Sequence, residues 1–201
     1  AIKGQDGLDS TTYGEGIYPK KESKGKLTIG VPYHILEKGG ISKEAREVFD
    51  NSIEKLKTDG YDVKEIELPN IEYSLAVYYI LMPAEVSSNL SRFDGVKYGL
   101  HVEGDNLLAD YLKTRGAGFG PEVRRRILIG TYVLSAGYHD AYYNKALVLR
   151  QKISSDFAKA FSEVDIIATP TTTGSAFKIG EKANDPLSLY LEDIFTVPAN
   201  I

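Results

Sequence analysis

Lys26-Leu27-Thr28-Ile29-Gly30-Val31-Pro32 and Val63-Lys64-Glu65-Ile66-Glu67-Leu68-Pro69 bracket the most readable segment of the chain. In the first, Leu27, Ile29 and Val31 alternate with Thr28 and Gly30, the period of a strand, and Pro32 ends it. Gly39-Gly40 follow, and Ser42 is placed as a helix N-cap whose hydroxyl accepts from a first-turn amide. Ala45, Val48, Phe49, Ile53 and Leu56 then recur at spacings of three and four, with one slip, and mark one apolar helical face. Gly60 tolerates the left-handed geometry of a helix end. Val63, Ile66 and Leu68 form a second strand stopped by Pro69. Strand, helix and strand in about forty residues make a βαβ unit over residues 26–70, with a right-handed crossover expected. The fold class is α/β.

Outward from that unit, residues 1–25 are rich in Gly, Ser, Thr, Lys and Asp and read as a loop or connection. Residues 71–162 read as helices that interrupt the strand order, a helical cap inserted between strands. The first spans Ile71 to Asn89, with Pro83 expected to kink or restart it. Asp105 is placed as the cap of a shorter helix carrying Leu107, Leu108, Tyr111 and Leu112. Gly116, Gly118 and Gly120 predict a flexible turn, and Pro121 suits the first position of the next helix. That helix runs through Tyr132, breaks near Gly137 and resumes at His139, where Tyr142, Ala146, Leu149, Ile153, Phe157 and Phe161 share a face. Residues 163–201 hold a short buried strand, Val164 to Ala168, then a loop and a short helix around Leu187 to Asp193.

The composition is that of a soluble globular chain: 201 residues, 42% hydrophobic and 26% charged, with no apolar run of membrane-spanning length. A net charge of −4 provides no general attraction for nucleic acid. The absence of cysteine excludes disulfides, thiol nucleophiles and thiolate metal sites, and fits a cytoplasmic location. His34, His101 and His139 lack ligand spacing, so no metal is expected. Tyr78-Tyr79 and Tyr142-Tyr143, among 14 tyrosines, suggest half-polar seams between helices. The chain opens Ala1-Ile2-Lys3-Gly4 and ends Pro198-Ala199-Asn200-Ile201, without a natural start or stop signal, so both ends read as cuts.

No nucleophile stands out. There is no Gly-x-Ser-x-Gly elbow and no Ser-x-x-Lys in a glycine-rich setting. Ser52 precedes Lys55, but Ser42 beside Lys43 is better explained as a cap, and Ser87-Ser88 lie in a helical segment. Gly116-Ala117-Gly118-Phe119-Gly120 lacks the lysine and the preceding strand of a phosphate loop. Arg124-Arg125-Arg126 is the sharpest charged feature. Successive helical side chains point about 100° apart, so one arginine turns toward whatever Val123 and Ile127 pack on. Such an arginine takes either a structural ion pair or an anionic ligand. Asp193, set among apolar residues, is either an anchor for a ligand amine or a local cap. Tyr78 is either core or pocket lining.

Ser87-Ser88-Asn89-Leu90-Ser91-Arg92-Phe93-Asp94-Gly95-Val96-Lys97-Tyr98-Gly99 changes those odds. With Pro83-Ala84-Glu85, Gly118-Phe119-Gly120, Arg125-Arg126-Ile127, Gly130 to Tyr138, Asp140-Ala141-Tyr142-Tyr143, Asp185-Pro186-Leu187 and the run from Asp193 to Asn200, it resembles the amidase signature family. Within that family the likeness is to the A subunits of tRNA-dependent amidotransferases. Thr173-Gly174 departs from it, where those subunits often carry a proline.

The resemblance implies one partial amidase-signature domain over residues 1–201, a mixed sheet covered by helices. It implies an enzyme that releases ammonia from glutamine to convert Glu-tRNA(Gln) or Asp-tRNA(Asn) to the amidated forms. Carried over by position, Arg126 holds the α-carboxylate of glutamine, Asp193 its α-ammonium, and Tyr78 lines the pocket. Opposite charges then answer both charges of a zwitterion. The catalytic serines and lysine of the family are not among these residues, so the chain alone is expected to be inactive. ATP and magnesium are expected in the partner subunit, subunits B and C as partners, and tRNA mainly on the partner. A different amidase-signature hydrolase is the first rival, and a hydrolase of uncharged amides has no need of the Arg126 and Asp193 pair. A non-enzymatic binding or scaffold module for small ligands is the second.

Overall fold

The computed structural model describes residues 4–14, 25–181 and 185–201. The pair Ala1-Ile2 and part of the expected connection over residues 1–25 lie outside them. Residues 4–14 form turns without helix or strand.

The βαβ unit is present. Strand β1 (Thr28–Val31) pairs in parallel with β2 (Asp62–Glu65), Thr28 opposite Asp62 and Val31 opposite Glu65. A short helix that periodicity does not announce, α1 (Tyr33–Lys38), begins at once after Pro32 and buries Leu36. The proline ends the strand and starts this turn, because its fixed φ is compatible with a helix entry. Helix α2 (Lys43–Thr58) starts at Ser42, whose hydroxyl accepts from the Ala45 amide at 3.1 Å. It closes in a paired-bond helix end: Tyr61 N donates to Leu56 O and Gly60 N to Lys57 O, both at 3.0 Å, with Gly60 at φ 92°. Ile53 is buried, whereas Val48 is the slip in the pattern and faces solvent.

The second strand stops earlier than expected. Glu65 is its last residue, and Ile66 and Leu68 turn beyond it into the core, Ile66 still donating to Val31 O at 3.1 Å. The chain returns to the sheet at β3 (Ile166–Ile167), parallel to the other edge of β1, so the order is β2-β1-β3. The three strands are all parallel, so no antiparallel pairing of a mixed sheet arises among the described residues. Strand β3 is also shorter and more exposed than the buried run expected from Val164 to Ala168: Val164 is buried but Ile166 is not. Central β1 is covered on both sides. Gly30 has no room for a side chain, since a Cβ there would stand 2.9 Å from Val164 and 3.0 Å from Ile66.

Between β2 and β3 the chain is helical. A 3₁₀ turn (Ile71–Tyr73) leads into α3 (Ser74–Asn89), which runs through Pro83 without restarting. Pro83 is buried where α3 meets α5 (Pro121–Leu134), and packing there replaces the ladder bond that the ring removes. A Cβ on Gly130 would lie 1.8 Å from Pro83 O, so only glycine permits this crossing. Pro121 occupies the first turn of α5, as expected.

Helix α4 (Leu107–Gly118) corrects two expectations. Its cap is Asn106, not Asp105, the Asn106 Oδ1 accepting from Ala109 N at 3.0 Å. Gly116 and Gly118 are helical, and only Phe119 and Gly120 form the link to α5. Three glycines in a row at alternate positions signal a turn only if no neighbour closes the helix around them. Here the Arg115 guanidinium, stacked 4.7 Å from the Phe119 ring centroid and 5.0 Å from Tyr111, braces the last turn.

After Gly137, at φ 86°, a wide π turn (His139–Tyr143) feeds α6 (Asn144–Ala160). Val77, Leu81, Ala146 and Ile153 form one core cluster between α3 and α6. Ile66, Leu68, Ile71, Ala160 and Val164 form a second against the sheet. Asp156 joins them, accepting from Asn70 N at 2.8 Å and Asn70 Nδ2 at 3.0 Å. Helix α7 (Pro186–Leu191), capped by Asp185, and a 3₁₀ turn (Val197–Ala199) complete the chain. No described helix is long and apolar enough to cross a membrane.

Candidate functional site

The arginine run on α5 resolves into three fates. Arg124 turns back to α4, donating through Nε to Phe119 O at 2.6 Å and through Nη2 to Gly116 O at 3.2 Å, and so caps that helix. Arg125 meets Glu122 at 2.7 Å on the exposed side. Arg126 is the one that turns inward, with 26% of its side chain exposed. Its Nε donates to Glu122 Oε1 at 2.9 Å, and its Nη1 rests 3.4 Å from the Met82 sulfur of α3. Glu122 precedes Arg126 by one helical turn, the favourable order for such a pair. The guanidinium carbon lies 5.7 Å from the centre of the Tyr79 ring.

Around Arg126 is a cleft of about 380 Å³, lined by Leu75, Ala76, Tyr79, Pro83, Ile129 and Tyr190 as well. Helix α3 supplies Tyr79, and α7 supplies Tyr190, whose ring tilts over Tyr79 with centroids 4.3 Å apart. Tyr78 stands edge-on to Tyr79 at 5.2 Å and does not line the cleft wall itself. Its hydroxyl nonetheless acts on Arg126. Burial alone would lower the Arg126 pKa, but hydrogen bonding with Glu122 and then Tyr78 outweighs it and holds the guanidinium above its ordinary value. The cation is therefore permanent.

Asp193 lies two residues past α7, exposed, its amide donating to Tyr190 O at 3.2 Å and its carbonyl accepting from Thr196 and Val197. It does not line the cleft, but its charge reaches it. The Tyr79 phenol is pushed up to about 12, first by burial, while Arg126 pulls it down and Asp193, Tyr190 and Tyr78 push it up. Opposite charges from α5 and from the turn after α7 thus act on one phenol. The Tyr79 hydroxyl is buried and has no hydrogen-bond partner among the described residues.

Of the three residues singled out from the sequence, Arg126 is in the cleft wall, Tyr78 is beside it, and Asp193 lies outside the lining, on the turn that follows α7. Sequence reasoning missed Glu122, Tyr79 and Tyr190 as site members. Glu122 was legible as the i−4 partner of Arg126. Tyr190 was not, because nothing local ties α7 to α3 or α5. No group of three or more His, Asp or Glu suited to a metal occurs among the described residues.

A family model described as Amidase matches residues 1–201. The chain belongs to the amidase family. It is 50% identical to the A subunit of glutamyl-tRNA(Gln) amidotransferase from Parvibaculum lavamentivorans over its whole length, covering 42% of that protein. It is 54% identical to the protein of the same name from Pelagibacter ubique over 89% of the chain and 36% of the relative. The chain thus spans about 42% of the length of the first of these curated relatives. Among solved structures, the A subunit of glutamyl-tRNA(Gln) amidotransferase from Thermotoga maritima superposes with a TM-score of 0.63 at 39% identity, over 98% of this chain and 38% of that one. A crystal structure of an amidase superposes with a TM-score of 0.60 at 25% identity, over 80% of this chain and 31% of that one. The resemblance carried by Arg92 to Gly99 and the accompanying stretches is to these same proteins.

Proposed function

We propose that this chain is the glutamine-binding part of the amidase subunit of a tRNA-dependent amidotransferase. In this reading Arg126 takes the α-carboxylate of glutamine, Asp193 its α-ammonium, and Tyr78 steadies the guanidinium. The side-chain amide is thereby presented to a serine nucleophile supplied outside this chain, so the chain alone releases no ammonia. The complete subunit passes ammonia to partner subunits B and C, where ATP and magnesium activate Glu-tRNA(Gln) or Asp-tRNA(Asn) in the cytoplasm. The net charge of −4 accords with tRNA docking mainly on the partner.

One observation carries the reading. Arg126 is drawn into a tyrosine-lined cleft, held at Nε by Glu122, with the Met82 thioether against Nη1 and the Tyr78 hydroxyl beside it. A guanidinium has five N–H donors, more than those three contacts use, and its fork matches a carboxylate. A second charge of opposite sign, Asp193, follows the lining residue Tyr190 by three residues and acts on the Tyr79 phenol. Holding both ends of an amino acid places its amide, and such positioning is a large part of what an enzyme supplies.

The test is glutamine hydrolysis by the complete subunit in its assembled complex. Arg126→Lys and Asp193→Asn are each expected to raise KM for glutamine by roughly ten- to hundredfold, the worth of a charged hydrogen bond. A KM unchanged by both substitutions would sink the reading. Ammonia release by the isolated 201-residue chain, with contaminating glutaminase excluded, would overturn the placement of the nucleophile.

A further inference from the structure

We propose that Glu122 is a positioning residue that sets both arms of the glutamine clamp at once, a role that rests on the reading above. Its carboxylate is the junction of two otherwise separate elements. Oε1 accepts from Arg126 Nε at 2.9 Å and from the Tyr190 hydroxyl at 3.3 Å. Oε2 accepts from Arg125 Nη1 at 2.7 Å, which stops the carboxylate from rotating away. Arg126 lies on α5, whereas Tyr190 belongs to α7, and the Tyr190 carbonyl receives the amide of Asp193 at 3.2 Å. One oxygen atom therefore touches the cationic arm directly and, through the Tyr190 side chain, holds the helix whose end carries the anionic arm.

The charges support the assignment. Glu122 sits in the first turn of α5, where the helix dipole favours an anion. Its single negative charge offsets one of the two guanidinium charges it meets, so a substrate carboxylate enters a site that is still cationic but not doubly so. Removing Glu122 would leave Arg126 with the Met82 sulfur and the Tyr78 hydroxyl as its remaining polar neighbours. It would also release the Tyr190 hydroxyl, loosening α7 from α5. An ion pair this exposed adds little to stability, so its loss is read in substrate positioning rather than in unfolding.

The experiment measures hydrolysis of glutamine, and of a short aliphatic amide lacking both α-groups, by the complete subunit in its complex. Glu122→Ala is expected to raise KM for glutamine roughly ten- to hundredfold while kcat changes little, and to leave kcat/KM for the plain amide unchanged. Tyr190→Phe keeps the ring stack on Tyr79 and removes only the bond to Glu122, so KM rises about threefold with the melting temperature unchanged. In an Arg126→Met background the effect of Glu122→Ala on KM shrinks, because the two residues act through one contact. Equal losses on both amides would overturn the proposal by making Glu122 merely structural. An unchanged KM in Glu122→Ala, with Arg126→Met strongly impaired, would overturn this proposal and leave the clamp intact. An unchanged KM in Arg126→Met would overturn the clamp itself.

Discussion

Helices α4 and α5 are neighbours of similar length, each leaves leucines facing solvent, and they are anchored in opposite ways. Helix α5 lays Arg126, Gly130 and Val133 against α3, and its backbone comes so close at Gly130 that no side chain fits. Helix α4 points Leu107, Leu108 and Leu112 outward, at 70%, 65% and 61% exposure. Its one buried residue is polar: Thr114, whose hydroxyl accepts from Val102 N at 2.9 Å. Arg115 adds bonds from Nη1 to Leu90 O at 2.9 Å and Phe93 O at 3.0 Å. One helix is held by apolar contact and the other by hydrogen bonds to the loop before it. Periodicity announces a face; it does not say what the face meets.

Substitutions where α3 packs on its helical neighbours should break this contrast most visibly. Gly130→Leu drives a side chain into the Pro83 carbonyl and is expected to cost at least about 4 kcal/mol, seen as a shifted midpoint in urea denaturation. Leu81→Ala, which empties part of the α3–α6 cluster, is expected to cost about 3 kcal/mol by the same measurement. On the α4 side the sensitive position is the polar anchor. Thr114→Val keeps the shape but strands the Val102 amide, and should cost about 1–2 kcal/mol and speed amide exchange at residues 102–104.

A pH effect sharpens the picture at the cleft. The Tyr79 phenol ionises at about 12 in the folded chain and at about 10 when unfolded. Folding therefore favours its protonated form. That stability is fully present below the unfolded pKa and is lost as pH rises through the folded one, so Tyr79→Phe should flatten the alkaline decline in denaturation curves. The smallest effect belongs to the outward leucines: Leu112→Ala should change stability by no more than about 0.5 kcal/mol. A cost of several kcal/mol there would mean that α4 is packed, and the contrast with α5 would fail.

Much of the local architecture was legible because its causes are local. Ser42 caps α2, Gly60 ends it with positive φ, and Pro121 begins α5; each depends on contacts within a few residues. The errors came where a distant partner outweighed the local signal. Pro83 suggests a break, but burial against α5 carries α3 through it. Gly116 and Gly118 suggest a turn, but the stacked Arg115 and the cap from Arg124 keep them helical. Asn106 rather than Asp105 caps α4, a one-residue shift that periodicity does not resolve. Helix α1 escaped because Pro32 reads as a stop and its residues offer one buried leucine rather than a repeat.

The site divides the same way. That one arginine of Arg124-Arg125-Arg126 turns inward follows from helix geometry and was determined by the sequence alone, as were the family resemblance and the lack of cysteine chemistry. The family likeness had singled out Arg126 and Asp193 by position, but only the tertiary structure shows that Arg126 is the arginine drawn inward and that Tyr79, Tyr190 and Glu122 surround it. The reason is physical. Caps, turns and apolar stripes are set by interactions between near neighbours, so they survive reading in one dimension. A charged cleft is assembled from α3, α5 and α7, and its membership is settled by which helices can approach closely enough, at a glycine such as Gly130, to bring those side chains together.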